Sequence, residues 1–260
     1  MQSQIFYHKI LKSFRINFLI LTSRILEFFF ITAKSTDKFG TLYDEEFDFY
    51  KRYYRNRNTD LVVLDIGANT GTWAKKALQI GIRYNTYVYC VEPYGNQELH
   101  RFSKSSKFIQ VYDLAISQKK STNLYFTKNG SGGSAFNSSL QDSNKLRIKR
   151  VKSMTGDQFI KSTLITPDLI KIDVDGMDLE VIKTFRNYIK SKHPLIQFEF
   201  TKRFANAAGY TLSENIDYLK SLNYEIYVID KYSQLKRIRI CRLEVIGIQT
   251  KNFIALPRTV

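Results

Sequence analysis

The sequence predicts one α/β domain built on a doubly wound, seven-stranded, mostly parallel sheet. From residue 61 to the C-terminus, short apolar runs alternate with amphipathic stretches, the pattern of strands covered by helices on both faces. The chain has 260 residues, of which 43% are hydrophobic, enough to fill a single core. Residues 41–260 are therefore predicted to be one domain, and residues 1–40 an N-terminal helical extension.

The extension is predicted to be a basic amphipathic helix. Its apolar residues recur at helical spacing: Phe18, Leu21, Ile25, Phe28 and Phe29. Arg24 and Glu27 interrupt this stretch, which leaves it too short and too charged to span a bilayer. Two placements stay open, on the domain or as a peripheral contact with a membrane surface. The second is favoured by the preceding cations Lys9, Lys12 and Arg15.

The later elements follow from local composition. Strands are predicted at the apolar runs 61–67, 87–93, 108–116, 169–174, 195–200, 224–230 and 252–257. Helices are predicted at 44–56, 72–78, 97–103, 179–190 and 213–222. Between residues 124 and 150 a Gly/Ser/Asn-rich loop, a candidate lid, precedes a short alternating strand, KLRIKRVK.

Charge and cysteine content limit the partners. Forty Lys and Arg residues against twenty-four Asp and Glu give a net charge of +16, which favours anionic partners. Cys90 and Cys241 lie in separate apolar runs, so two buried thiols in a reducing compartment, the cytoplasm, are expected rather than a disulfide. Their separation also excludes a zinc site built on cysteine.

The segment LDIGANTG closes the first predicted strand and carries Asp65, Gly67, Asn69 and Gly71. The glycines allow a sharp turn and a close backbone approach to a nucleotide-like ligand at a helix N-terminus. Asp65 would repel a pyrophosphate but suits an amino-acid and sulfonium cation, and the spacing departs from G-x-G-x-x-G, so a dinucleotide-dependent dehydrogenase is disfavoured. The alternative role for Asp65 is to cap the following helix.

Two further acids stand at the ends of the next strands. Glu92 follows Gly67 by 25 residues, near the spacing of about 20 for an acid that binds ribose hydroxyls. Pro93 ends the strand there, which fixes Glu92 at the ligand-binding edge of the sheet. Asp113 ends the third strand and is a candidate acceptor for an adenine amino group. A solvated strand end is the alternative for both acids.

The segments LDIGANTG, CVEP, TGDQF, LIKIDVDGMDLEVIKTF and LIQFEF together resemble the FkbM-type S-adenosylmethionine-dependent methyltransferases over about residues 60–257. The resemblance implies a class I (Rossmann-like) methyltransferase fold and methyl transfer to oxygen on sugars, glycans or secondary metabolites. It implies that Asp65, Gly67, Asn69 and Gly71 line the methionine part of the cofactor and that Glu92 holds the ribose. Two departures stand out: Asp175 replaces a usual Glu, and Gly156 a usual Leu.

The acids of KIDVDG, with Glu199 of QFEF, are the candidate catalytic residues. Asp173 and Asp175 follow a buried strand, and Glu199 ends the neighbouring one. Methyl transfer needs an aligned acceptor and a base for its hydroxyl proton, and Asp173 is the leading base. The alternative is that these acids hold a divalent cation, although the leading prediction is a site without metal. Lys171, inside the strand, is expected to pair with one of them.

The leading hypothesis is therefore an S-adenosylmethionine-dependent O-methyltransferase acting on a hydroxyl of a saccharide, glycan or glycolipid precursor, with an anionic acceptor at the inner membrane face. The chain has neither the Pro-Pro-aromatic segment of base amino-group methylases nor the Pro-Cys segment of cytosine-C5 enzymes, so nucleic acid is disfavoured as a partner. Two alternatives stay open: a non-catalytic polyanion-binding protein that retains the fold, and a ribose 2′-O RNA methyltransferase.

Overall fold

The computed structural model describes residues 44–81, 83–119, 121–127, 133–134, 146–229, 232–238, 248 and 250–258. The predicted N-terminal helix and most of the predicted lid loop lie outside these residues. In the described ranges the chain forms eight helices: α1 (Asp44–Tyr53), α2 (Thr72–Ala77), α3 (Gln97–Ser105), α4 (Gly156–Thr163), α5 (Asp178–Thr184), α6 (Arg186–Lys192), α7 (Lys202–Ala208) and α8 (Leu212–Ser221).

Twelve strands accompany these helices in the described ranges. They are β1 (Leu61–Ile66), β2 (Thr86–Val91), β3 (Ile109–Tyr112), β4 (Ala115–Ile116), β5 (Ser121–Thr127), β6 (Gly133–Ser134), β7 (Leu146–Met154), β8 (Leu169–Ile172), β9 (Leu195–Thr201), β10 (Tyr224–Ile229), β11 (Leu235–Arg237) and β12 (Thr250–Pro257).

The main sheet has the strand order β11-β10-β12-β9-β8-β1-β2-β3. The five strands from β9 to β3 pair in parallel, and β12 lies antiparallel between β9 and β10. The chain first winds outward from β1 to β3 and then returns to the other side of β1 with β8. The switch in strand order therefore falls between β1 and β8, the place where open α/β sheets bind ligands. The predicted doubly wound, mostly parallel sheet is confirmed.

The central strands read as continuous apolar runs because helices cover both faces of the sheet. All four residues of β8 are buried, and β1 is buried except at Val62. Leu64, Ile66 and Ile172 pack into one cluster with Phe198 of β9. Because both faces of these strands are buried, a polar side chain on them needs a partner inside the fold or a position at the strand end.

The sheet has eight strands rather than the predicted seven, because β11 adds three residues antiparallel to β10. So short a strand carries too little periodicity to be predicted. The predicted strand 108–116 divides into β3 and β4, which belong to different sheets. β4 joins β7, β5 and β6 in a four-stranded sheet, where the predicted strand KLRIKRVK forms β7.

The predicted helix 179–190 is two helices, α5 and α6, separated at Phe185. The backbone of Phe185 departs from helical geometry (φ −95°, ψ 14°), and its fully buried ring fills the space beside Gly156. Gly156 begins α4, a helix that the sequence analysis did not predict, capped by Thr155 and Gln158. A Cβ atom at Gly156 would lie 2.3 Å from the Phe185 ring, so the packed ring leaves no room for a side chain at this position.

We expect Gly156→Leu to destabilise the protein through this contact. Overpacking a filled core costs about 1–3 kcal/mol, more than the helix propensity that leucine gains over glycine. Urea denaturation should show this loss, whereas Lys161→Leu, at an exposed position of the same helix, should leave stability nearly unchanged. In the Gly156→Leu background, Phe185→Ala should cost less than it does alone. Additive effects of the two substitutions would contradict the assigned contact.

Candidate functional site

A row of polar side chains crosses the middle of the main sheet. The strand register places Asp65 of β1 beside Lys171 of β8, and Lys171 beside Gln197 of β9. All three residues are buried, with Asp65 fully inaccessible to solvent. The row lies on both sides of the switch point, just before the carboxyl ends of the strands. Buried charges at this place must be compensated within the fold.

Lys171 is the centre of the row. Its ammonium nitrogen Nζ lies 3.1 Å from Asp65 Oδ1 and 3.2 Å from Asp173 Oδ2, and it donates to the carbonyl oxygen of Gly67 at 3.3 Å. Burial alone would lower the pKa of Lys171, but the two carboxylates outweigh it and raise that pKa. The lysine therefore stays charged. The predicted pairing of Lys171 with an acid of KIDVDG is confirmed.

The two acids beside Lys171 differ in access to solvent. Asp65 is fully buried, whereas 39% of the Asp173 side chain is exposed. In the part of the chain that the structure describes, Asp65 Oδ2 finds no hydrogen-bond donor. Asp65 thus compensates the lysine from inside, and Asp173 is the member of the group that can meet a substrate.

The turn after β1 folds against the loop that follows β8. Gly67 and Gly71 have φ values of +81° and +80°, and Asn69 has +49°, so three of five residues adopt the left-handed conformation. A Cβ atom on Gly67 would lie 1.9 Å from the carbonyl oxygen of Asp173. Only glycine permits that approach together with that φ. The predicted glycine turn therefore lies in direct contact with the predicted catalytic loop.

Glu92 faces the same turn from the end of β2. The backbone N–H of Asn69 donates to Glu92 Oε2 at 2.9 Å, and that of Tyr94 donates to Oε1 at 3.0 Å. Burial raises the pKa of Glu92, and these two hydrogen bonds oppose the rise. Each carboxylate oxygen keeps a second acceptor position. Glu92 is thus held in place by the turn with two acceptor positions to spare.

Asp113 lies farther along the same edge, between β3 and β4. It is exposed, and its Oδ1 lies 2.8 Å from Nε2 of His100 on α3. This contact within the protein was not predicted, because a histidine on a neighbouring helix leaves no local signal for its partner. His193, the other described histidine, is exposed at the end of α6.

Asp175 and Glu199 are held close to Asp173. Burial raises the pKa of Asp175 to about 7, and the charge of Asp173 adds to this, while Arg203 opposes it. Burial likewise raises the pKa of Glu199 to about 7, again with Asp173 adding. Glu199 Oε2 accepts a hydrogen bond from the Thr201 hydroxyl at 3.2 Å. The structure thus brings all three predicted catalytic acids to the ends of β8 and β9.

The neighbouring acids Asp178 and Glu180 have structural partners. Asp178, buried at the start of α5, accepts hydrogen bonds from the backbone N–H groups of Val174 (3.4 Å) and Gly176 (3.2 Å). Glu180 accepts from the hydroxyl of Ser117 at 2.8 Å. Asp178 therefore shapes the loop that carries Asp173 and Asp175.

Helix α1 contributes a second buried polar group that the sequence analysis missed. Glu46 accepts hydrogen bonds from the side-chain amides of Gln197 (3.0 Å) and Asn252 (2.7 Å), and Tyr50 donates to Gln197. Asn252 pairs in register with Glu199. A glutamine in the middle of the buried run LIQFEF was the available signal, but its partner lies 151 positions away.

The described ranges contain no group of three or more His, Cys, Asp or Glu side chains that could hold a metal ion. The acids at the sheet edge surround a lysine instead: Asp65 and Asp173 both lie within 3.2 Å of Lys171 Nζ.

Comparison with known families identifies the family of this chain. Residues 65–226, more than half of the chain, match the family model described as the methyltransferase FkbM domain. The chain belongs to the FkbM methyltransferase family. It is an S-adenosylmethionine-dependent methyltransferase with a class I methyltransferase fold, as the sequence motifs predicted.

Solved structures of methyltransferases resemble this FkbM methyltransferase at low identity. The FkbM methyltransferase of Methylobacillus flagellatus KT is 15% identical, with a TM-score of 0.48 over 92% of this chain and 60% of that one. The precorrin-6y C5,15-methyltransferase of Geobacter metallireducens GS-15 is 12% identical, with a TM-score of 0.45 over 86% and 94% of the two chains. The plantazolicin methyltransferase BpumL, in complex with S-adenosylhomocysteine, is 12% identical, with a TM-score of 0.47 over 88% and 89%. Curated proteins gave no match.

The residues at the edge fit S-adenosylmethionine. Glu92 keeps two acceptor positions for neighbouring ribose hydroxyls. The left-handed turn at Gly67 and Gly71 lets the main chain of the turn pass close to a ligand bound beside Glu92. Asp173, Asp175 and Glu199 give the edge an excess of negative charge over Lys171, which suits the sulfonium and ammonium cations of the cofactor. The assignment of individual contacts to these residues stays a prediction.

We expect Lys171→Met to destabilise the ligand-free protein strongly. Removing one partner of a buried ion pair leaves Asp65 as a buried, uncompensated charge, at a cost of about 3–5 kcal/mol. The double variant Asp65→Asn/Lys171→Met should recover part of this loss, because no buried charge remains. Urea denaturation measures both variants, with Lys190→Met as an exposed control. A double variant no more stable than the single one would contradict the assignment.

We also expect stability to depend on pH through Glu199. Its pKa of about 7 in the fold lies above the ordinary value, so its contribution to stability is fully present below about pH 4 and is lost as the pH rises through about 7. Glu199→Gln should therefore become more stable relative to the wild type between pH 5 and 8. Thermal melts across this range test the expectation, and Glu98→Gln, at an exposed position, shows the effect of losing one surface carboxylate. A difference independent of pH would count against it.

Proposed function

We propose that this FkbM methyltransferase is an O-methyltransferase that acts on a hydroxyl of a saccharide, glycan or glycolipid precursor. The observation that carries the proposal is the convergence of three carboxylates, Asp173, Asp175 and Glu199, beside the glycine turn. A hydroxyl acceptor must lose a proton as its oxygen is methylated, and carboxylates close to that oxygen suit that task. Two of the three, Asp175 and Glu199, have a pKa of about 7 and take up protons near neutral pH. The family resemblance supports a sugar hydroxyl among the possible acceptors.

Asp173 is the proposed base. It is the exposed partner of Lys171, it adjoins the turn through its own carbonyl oxygen, and its charge bears on both Asp175 and Glu199. The lysine holds the Asp173 carboxylate in a fixed orientation, so that the acceptor hydroxyl meets it in one geometry. When bound, S-adenosylmethionine supplies an electrophilic methyl group. Asp173 accepts the hydroxyl proton, and Asp175 and Glu199 are neighbouring carboxylates to which it can pass that proton.

The remaining edge residues are proposed to bind the cofactor. Glu92 accepts from the ribose hydroxyls, and Gly67, Asn69 and Gly71 pass close to the methionine part. Asp113, oriented by His100, accepts from the adenine amino group. Asp65 acts through Lys171, since its own carboxylate is buried.

The acceptor is proposed to be anionic and to be reached in the cytoplasm, at the inner face of the membrane. The support is the net charge of +16 and the expectation of reduced, unbridged cysteines. In the described ranges no helix is long and apolar enough to cross a membrane.

The acceptor class can be tested with S-adenosylmethionine that carries a tritiated methyl group. The purified enzyme is incubated with saccharide, lipid-linked saccharide, protein and nucleic-acid fractions. We expect label in a saccharide-containing fraction, stable to mild base, because a methyl ether resists the base that cleaves a methyl ester. Base-labile label, or label confined to protein or nucleic acid, would contradict the proposal. Binding of polyanions without any turnover would favour the non-catalytic alternative.

We expect Asp173→Asn to lower turnover on the labelled fraction by roughly 10² to 10⁴ fold, the usual contribution of general-base catalysis. The shape of the side chain is kept, so affinity for S-adenosylhomocysteine, measured by isothermal titration, should change little. Asp217→Asn, an exposed position on α8, is the matched control.

Other outcomes for this variant are separable. A chelator that silences the wild-type enzyme would favour a bound cation over a base. An Asp173→Asn protein that melts far lower while its folded fraction turns over normally would make the residue a structural partner of Lys171 only.

A further inference from the structure

The positive charge of the chain is concentrated in one segment. Residues 114–156 contain eight Lys and Arg residues and one acid, Asp142, so this sixth of the sequence carries +7 of the net +16. The segment includes the strands β4, β5, β6 and β7 of the second sheet. The segment therefore carries much of the charge that favours anionic partners.

Strand β7 presents this charge at the surface together with an aliphatic side chain. From residue 148 to 152 only Val151 is buried, and it packs against Tyr94 and Ala115. The alternate positions Ile148, Arg150 and Lys152 are exposed, and Ile148 has 64% of its surface accessible. These three residues form the outer face of β7. In a strand, such alternation places them on the side opposite Val151.

The side of β7 opposite the outer face contacts Tyr94, which lies next to Glu92 at the carboxyl edge of the main sheet. Lys149 Nζ donates to the carbonyl oxygen of Tyr94 at 3.3 Å and lies 5.3 Å from the centre of its ring. The backbone N–H of Tyr94 in turn donates to Glu92. β7 also pairs with β4 through Ser153 and Ala115. The outer face of β7 is therefore presented by a strand attached beside the predicted ribose-binding acid.

We propose that the outer face of β7 docks on a membrane surface rich in anionic lipids. Cations next to an exposed aliphatic side chain match such a surface, since the cations meet lipid phosphates while Ile148 enters the boundary of the acyl region. The surface does not suit single-stranded nucleic acid, which binds through stacked aromatic side chains, and none is exposed on the described part of β7. These three residues are not part of the sequence predicted to form the N-terminal amphipathic helix.

Docking at this face would bring the carboxyl edge of the sheet close to the lipid surface. If the proposed function holds, a lipid-linked acceptor would then be delivered to Asp173 without leaving the membrane. The docking itself does not depend on the acceptor, and it can be measured without turnover.

The test is co-sedimentation of the full-length protein with vesicles of phosphatidylcholine alone and with about 30% phosphatidylglycerol. We expect binding to the anionic vesicles that weakens with salt, and little to the neutral ones. Each cation near such a surface contributes about fivefold to affinity, so Arg150→Gln/Lys152→Gln should bind about 25-fold more weakly. The control Lys190→Gln/Lys192→Gln removes two exposed charges from α6 and should bind like the wild type.

A second variant, Ile148→Ser, keeps the charge and should weaken binding at high salt, where apolar contact remains. Unchanged affinity for S-adenosylhomocysteine and an unchanged melting temperature show that each variant is folded. Equal vesicle binding by the β7 and α6 double variants would overturn the proposal and assign any membrane contact to another segment. Equal binding of neutral and anionic vesicles would also overturn it. So would β7 variants that lose affinity for an RNA oligonucleotide but keep their affinity for vesicles.

Discussion

The buried ammonium of Lys171 organises the functional edge of this FkbM methyltransferase. It lies within 3.3 Å of a fully buried acid on β1, an exposed acid after β8 and the carbonyl oxygen of Gly67. One charge thus fixes the strand pair at the switch point, the turn after β1 and the proposed base. Its position within β8, among Leu169, Ile170 and Ile172, makes it costly to bury alone and therefore dependent on both acids.

The other parts of the site rest on this arrangement. Lys171 holds the glycine turn through the carbonyl oxygen of Gly67, and the backbone N–H of Asn69 in this turn donates to Glu92. The close contact between Gly67 and the Asp173 carbonyl oxygen holds the turn against the loop after β8. Asp178 shapes the second loop from the start of α5. Burial, with the charge of Asp173 adding to it, raises the pKa of Asp175 and of Glu199 to about 7, so that one electrostatic arrangement supports both cation binding and proton uptake.

Local patterns were sufficient to predict most of the fold and the location of the edge. Apolar runs predicted the five parallel strands, and the glycine spacing predicted the turn. A lysine between two isoleucines predicted the ion pair. The contacts of Glu46 with Gln197 and Asn252 could not be predicted from local patterns, since they join positions 151 and 206 residues apart in the sequence. The break at Phe185 was also missed, and the contact of its ring with Gly156 is a packing fact without periodicity. The N-terminal helix and the lid loop stay predictions.

A crystal structure with bound S-adenosylhomocysteine would show whether Lys171, Glu92 and the glycine turn together form the cofactor site. We expect both ribose hydroxyls within hydrogen-bond distance of Glu92, the homocysteine part along the turn from Gly67 to Gly71, and Lys171 still in contact with Asp65 and Asp173. The sulfur would then face the space beside the Asp173 carboxylate. A ligand bound away from Glu92, or a Lys171 side chain released from both acids, would contradict it.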